Sequence, residues 1–404
     1  MSEDTPQDSL FSGRVSDSSL HLTVGAPGHS LLSQLQPQLR AGTDHMLTQT
    51  SLLQYGPELG SRQYRTELAR FLTRHYGDTV DPDQLVLTTG ATNGLHLVTS
   101  VLLQRSAVVF LENPTYFIAQ SIIADDMGHK IVPVDMNNYG IDLVDLEDNI
   151  KKNMKSVTAE SSGRYWGMIY TIPTFHNPTG ISMKKCVGED LIRLARKYNL
   201  LILCDDVYNL LNYQTRTSEF SRLKVLDQDQ DCVISNGTFS KILAPGVRLG
   251  WIEAPDHIVK QLKQSGVLLS GGSQNNLMSG TVTGMIKSGL MNQILQNSIK
   301  IYAERMRAVV DVLQSNLPSS WSVDHPGGGY FLWINTDVPD LTSFIKWLES
   351  EKKIVVMGGH LAASKENCFK NCFRISIAYY DQPILVEACL KLCDATKDYF
   401  NVTS

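Results

Sequence analysis

The stretch Asn236-Gly-Thr-Phe-Ser-Lys-Ile-Leu-Ala-Pro-Gly-Val-Arg-Leu-Gly250 sets one lysine, Lys241, among small polar residues and glycines. An apolar run, Cys232-Val-Ile-Ser, precedes it, and a second, Val247-Arg-Leu-Gly-Trp-Ile, follows. That order predicts a turn between two strands, with Lys241 at a sheet edge, where α/β proteins keep their binding sites. Lysine has two uses there: it holds a phosphate as a point charge, or it forms a Schiff base with a carbonyl once its pKa is lowered. The stretch alone leaves both open.

Upstream of it, five more short β-rich runs appear: Leu85-Val-Leu-Thr-Thr, Ala107-Val-Val-Phe-Leu, Lys130-Ile-Val-Pro-Val, Gly167-Met-Ile-Tyr-Thr and Leu200-Leu-Ile-Leu-Cys. Helical spacing separates them at Thr92 to Leu103, Thr115 to Met127 and Lys184 to Tyr198, after a first helix at Gln63 to Tyr76. Strands alternating with helices predict an α/β fold, a mostly parallel seven-stranded sheet covered by helices on both faces. The last two runs are joined only by the lysine turn, which leaves them free to pair antiparallel. Beyond Trp251 lies a long helical region, 256–316, interrupted at Ser270-Gly-Gly-Ser273, and then a smaller α+β domain. Residues 1–40 are rich in Ser, Pro and Gly with little periodicity and read as an arm, with a turn at Gly25-Ala-Pro-Gly28.

Over 404 residues the net charge is −5 and no basic run occurs, which argues against nucleic-acid or membrane-surface partners. The acidic N-terminus lacks a secretory apolar region, and no apolar run reaches membrane-spanning length, so a cytoplasmic protein is expected. The spacing Cys368-x3-Cys372 with Cys389-x3-Cys393 could suit zinc, yet the second pair lies one turn apart on a helix from Pro383 to Tyr399. Buried, unreactive thiols are the better reading, and no metal is expected.

Polar residues cluster just past the predicted strand ends. In Thr88-Thr-Gly-Ala-Thr-Asn-Gly94, the backbone N–H groups of Gly90, Ala91 and Thr92 can cradle a phosphate at a helix N-terminus. Tyr116, in Asn113-Pro-Thr-Tyr116, can lay its ring on a planar ligand. Asn177, in His176-Asn-Pro-Thr-Gly180, can hydrogen-bond a ligand oxygen. Asp205 and Asp206 end a buried run; Asp206 can cap a following helix, while Asp205 can hold a cationic ring nitrogen. Arg248 adds charge for a phosphate. A phosphate cup, a stacking aromatic, a carboxylate and an amine at one sheet edge describe pyridoxal 5′-phosphate.

From about Tyr55 to Arg374 the sequence resembles the fold type I pyridoxal-phosphate enzymes, in particular the class I aminotransferases that include aromatic and 2-aminoadipate transaminases. The resemblance implies that Lys241, in Ser240-Lys-Ile-Leu-Ala-Pro-Gly, carries the cofactor as a Schiff base and that Asp205 pairs with its ring nitrogen. Tyr208 and Asn177 would bind the ring hydroxyl oxygen, with Tyr116 and Val207 on opposite ring faces. Ala91, Thr92, Thr238, Ser240 and Arg248 would surround the phosphate, and Tyr55 would reach the phosphate of a neighbouring subunit. Arg374, in Cys372-Phe-Arg-Ile-Ser, would grip the substrate carboxylate, with Gly25 and Gly329-Tyr-Phe-Leu-Trp333 lining the substrate side. Ala91 and Thr238 stand where serines are common in the family.

The activity implied is ping-pong transfer of an amino group between an L-amino acid and a 2-oxo acid, in a homodimer with shared sites. Residues 51–275 would form the large cofactor-binding domain, 276–404 the small C-terminal domain with its connecting helix, and 1–50 an arm joined to part of the small domain. Lyases and decarboxylases share these cofactor residues, so they remain alternatives. A non-catalytic relative, the sensor domain of bacterial regulators, is expected to carry a basic helix-turn-helix domain in front; the segment before Tyr55 is short and not basic.

Overall fold

The computed structural model describes residues 19–154, 163–214, 221–272 and 274–400. The expected arm up to residue 18 and Ser273 of the expected interruption lie outside the described residues.

All seven runs around and before Lys241 become strands of one sheet. In chain order, after the short strand β1 (Leu20–His21), they are β2 (Leu85–Thr88), β3 (Leu103–Asn113), β4 (Lys130–Asn137), β6 (Tyr165–Thr171), β7 (Leu201–Asp205), β8 (Val233–Thr238) and β9 (Gly250–Glu253), with a two-residue β5 (Gly140–Ile141) after β4. Their spatial order is β2-β9-β8-β7-β6-β3-β4-β5, so the sheet has eight strands, the eighth being the hairpin return of β4. Strands β4, β3, β6, β7 and β8 run parallel, and β9 lies antiparallel between β8 and β2.

Alternate residues of β3 feed two separate cores, as a strand buried on both faces requires. Val109 and Leu111 pack with Leu95 and Val98 of the helix Ala91–Leu102 and with Ile258 and Leu262 of the helix Asp256–Lys263. Val108 and Phe110 pack with Leu146 and Ile150 of the helix Leu143–Met154 and with Leu191 and Ile192 of the helix Lys185–Lys197. Parallel strands therefore end together at one edge, beside these helices.

A second sheet, all antiparallel, has the order β10 (Ser322–Val323), β11 (Phe331–Asn335), β14 (Cys372–Ser376), β13 (Met357–Gly358). β1 joins β12 (Ile354–Val355) in a parallel pair, Leu20 opposite Ile354. The region 256–316 resolves into several helices, ending with the 27-residue helix Leu290–Asn316.

Two expectations fail. Residues before 40 are not all irregular: helices run from His29 to Ser33 and from Gln36 to Leu47. The second of these helices is decided by packing. Gly42 lies so close to the helix Asn276–Lys287 that a Cβ would stand 2.6 Å from the Thr281 carbonyl oxygen, and Gly280 and Gly284 of that helix meet Leu52 and His45 as tightly. Glycine weakens the local helical signal while allowing the helices to touch. Asp206 caps no helix, because β7 leads into a turn; its Oδ2 accepts from the Ser235 hydroxyl instead, 2.5 Å away. Cys389 and Cys393 are buried on the helix Gln382–Phe400, where desolvation raises both thiols.

Candidate active site

Lys241 leaves the end of β8, and Asp205 the end of the neighbouring β7, so adjacent parallel strands deliver the amine and the acid to one edge. Lys241 Nζ donates to the Gly25 carbonyl oxygen at 2.7 Å, and burial pushes its pKa down to about 8 against the pull of Asp205. Asp205 Oδ2 accepts from the Tyr170 hydroxyl at 2.7 Å, while Oδ1 is buried without a partner. Desolvation raises this acid to about 6.

Past β6, the loop after Thr171 carries Asn177, whose side-chain oxygen accepts from Arg374 Nη1 at 2.7 Å. Arg374 projects from β14, donates its Nη2 to the Thr23 carbonyl at 2.8 Å, and lies 4.0 Å over the Phe331 ring. Burial lowers its pKa to about 10, and its Nε is left unpartnered. Tyr208 is 3% exposed and meets the rings of Tyr330 and Phe331 edge-on. Burial holds the Tyr116 phenol well above its ordinary range, and the charges of Asp205, Arg374 and Arg248 all reach it. Gly25 packs on Phe331 so closely that a Cβ would come within 2.6 Å of the ring.

The end of β2 supplies an anion cradle. Gly90, at φ +106°, precedes the helix Ala91–Leu102 with no side chain capping its first turn, and Thr92 is exposed one residue in. A Cβ at Gly90 would lie 3.4 Å from Arg248 Nη2 and 3.7 Å from Thr238 Oγ1, so only glycine leaves that space open. Thr238 Oγ1 also lies 2.9 Å from the Ser240 hydroxyl. Free N–H groups at a helix N-terminus, two hydroxyls and a guanidinium suit a phosphate.

Ala91, Thr92, Thr238, Ser240 and Arg248 thus gather around Gly90, and Lys241, Asp205, Tyr208, Tyr116, Asn177, Gly25 and Arg374 gather beside them. Tyr55 stands apart, 80% exposed with its ring against Gly271. Sequence reasoning passed over Tyr170 and Glu112. Glu112, the penultimate residue of β3, accepts from the Thr171 hydroxyl (2.5 Å) and the Ile172 N–H (2.8 Å), and His176 Nε2 approaches it to 3.2 Å. Tyr170 sits within a run that reads simply as buried strand, and Glu112 directly follows one, before Asn113-Pro; the one signal was an ionisable or hydroxyl-bearing side chain near a strand end.

An amine with a lowered pKa, an orphaned carboxylate oxygen and a phosphate cradle on a doubly covered sheet define a pyridoxal-phosphate type of site. The family model for aminotransferase class I and II matches residues 19–392, and the chain belongs to that family. An uncharacterized protein of Saccharomyces cerevisiae is 28% identical over 81% of this chain and 84% of its own length. Aromatic-amino-acid aminotransferase 1 of Thermococcus litoralis is 27% identical over 86% of this chain and 80% of its own. The crystal structure of an archaeal alanine:glyoxylate aminotransferase superposes with a TM-score of 0.83 at 27% identity, covering 95% of this chain and 92% of that one.

The protein is therefore a pyridoxal-phosphate-dependent aminotransferase of fold type I, acting between amino acids and 2-oxo acids. Its residues fit that cofactor: the buried Oδ1 of Asp205 has no donor of its own, and the turn at Gly90 brings Arg248 and Thr238 to the helix N-terminus as donors for a phosphate. No helix among the described residues is long and apolar enough to cross a membrane.

Proposed function

We propose that Lys241 is the amine that links covalently to pyridoxal phosphate and that Asp205 Oδ1 accepts from the ring nitrogen. The partnerless oxygen of Asp205, beside a lysine of lowered pKa, carries this assignment. Tyr208 and Asn177 hold the ring hydroxyl oxygen, Tyr116 and Val207 cover the ring faces, and Gly90, Ala91, Thr92, Thr238, Ser240 and Arg248 take the phosphate. Once bound, the cofactor supplies an electron-accepting ring that makes the substrate's α-proton acidic. Lys241, released by the incoming amino group, moves that proton as general base and then returns it as acid, a role that an amine titrating near neutrality suits. Asp205 keeps its negative charge beside the ring nitrogen and so favours the protonated ring.

Arg374, with Asn177 and Gly25 beside it, anchors the substrate α-carboxylate by two parallel N–H bonds. The cycle is ping-pong: the donor leaves as a 2-oxo acid before a second 2-oxo acid enters the same Arg374 grip. Tyr55, exposed together with Leu53, Val267 and Leu269, suits a homodimer in which it serves the partner's phosphate. We read the protein as cytoplasmic, with residues 51–275 as the cofactor domain, 276–404 as the small domain and 1–50 as an arm joined to it.

The test is spectroscopic first: purified protein should show the visible band of the bound cofactor, and Lys241→Ala should lack a reducible linkage. Amino acids with 2-oxoglutarate should then yield glutamate; release of pyruvate and ammonia without amino transfer would turn the reading to a lyase.

A further inference from the structure

We propose that Tyr170 is a positioning residue for the reaction: by holding one oxygen of Asp205, it keeps the acid charged and turns the other oxygen towards the cofactor's ring nitrogen. This rests on the assignment of Asp205 made above. Tyr170 is the penultimate residue of β6 and pairs in register with Leu203 of β7, two residues before Asp205. With a strand period of two, Tyr170, Leu203 and Asp205 share one face of the sheet. The phenol is fully buried among Leu111, Met168 and Leu203, so its hydroxyl has nowhere to swing and meets Oδ2 at 2.7 Å.

The asymmetry between the two carboxylate oxygens gives the arrangement its purpose. Oδ2 has its donor, whereas Oδ1, equally buried, has none. A buried acceptor left without a donor is costly, and a ligand N–H is the group that satisfies it. Burial holds the Tyr170 hydroxyl well above its ordinary range, so it stays a neutral donor throughout the working pH.

The charged and titratable groups facing Asp205 come from every neighbouring element. Asp206 follows it on the chain, Glu112 is the penultimate residue of β3, Lys241 follows β8, and the Asp205 charge reaches the phenols of Tyr116 and Tyr208. Burial first, then Asp206 and Glu112, disfavour its charge; the Tyr170 hydroxyl and Lys241 favour it. Removing the hydroxyl takes away one of two supports, so the acid becomes neutral at higher pH.

Tyr170→Phe deletes one oxygen without changing the core volume. Apoprotein of the wild type, Tyr170→Phe, Asp205→Asn and the double variant should be titrated with pyridoxal phosphate, following absorbance at pH 6.5 and 8.5. A hydrogen bond to a charged group predicts a dissociation constant raised about 10- to 100-fold for Tyr170→Phe at the lower pH, and less at the higher. In the Asp205→Asn background the same change should alter binding less than about twofold, since a group acting through Asp205 has nothing left to act on. Equal losses in both backgrounds would reduce Tyr170 to packing and overturn the proposal. So would unchanged binding by Tyr170→Phe where Asp205→Asn is impaired. If Asp205→Asn itself binds as the wild type does, the assignment of Asp205 fails, and the role of Tyr170 fails with it.

Discussion

Arg374 donates through Nη1 to the Asn177 side-chain oxygen across 2.7 Å, tying a strand of the small sheet to the loop that follows β6 in the large one. One guanidinium thereby serves both as a candidate substrate anchor and as a link between the two sheets. Arg374→Lys keeps the charge but loses the paired planar donors. The expected outcome is a KM for the amino acid raised about 10- to 100-fold with kcat much less affected, read from steady-state kinetics.

Asp205 is held in its charged form against its surroundings. Its pKa rises from 3.8 to about 6 on folding, so the folded state binds the proton more tightly than the unfolded chain. Stability from this group is therefore present below about pH 4 and lost as pH climbs through 6, which at pH 7 leaves a cost of about 3 kcal/mol. Asp205→Asn removes that cost. The apoprotein should melt at a higher temperature than wild type at pH 7, with the gain gone at pH 4, while cofactor affinity falls; a lower melting temperature at pH 7 would contradict the burial argument.

Lys241 sets a second pH dependence. Only the neutral amine can attack the cofactor's aldehyde, and its pKa is lowered to about 8. Uptake of pyridoxal phosphate by apoprotein should speed up about tenfold per pH unit below 8 and level off above it, in stopped-flow absorbance between pH 6.5 and 9.5. A midpoint near 10.5 would show an unperturbed lysine.

Gly90→Ala tests the cradle. The backbone at φ +106° disfavours any side chain by about 1–3 kcal/mol, and the methyl would fill the space between Arg248 and Thr238. Cofactor affinity should fall about 5- to 150-fold by the same reckoning, and added phosphate should protect the variant's apoprotein against melting less than it protects wild type.

Much of the candidate site was legible because its residues stand at the ends of apolar runs. A strand followed by Asp205, by Lys241 or by the Gly90 turn announces both its direction and the end at which chemistry occurs. Tyr170 was not legible, since its hydroxyl hides inside a run that otherwise reads as core, and Glu112, though it follows such a run, was passed over beside the turn signal Asn113-Pro. The helix Gln36–Leu47 was missed for the opposite reason: Gly42 and its neighbours make a poor helix in isolation and a good one only against the helix Asn276–Lys287. Contact between distant segments, invisible to local pattern, supplied what propensity lacked.

The place of β9 also dictates when the protein can become an enzyme during its own synthesis. β2 lies at the end of the large sheet, and its single strand neighbour is β9, with Thr88 opposite Gly250. Until that late strand leaves the ribosome, β2 has no partner and the Gly90 turn has nothing to orient it. The proposed phosphate cradle closes only across this long gap in sequence, so a cofactor held there arrives at a nearly finished sheet and cannot serve as its nucleus.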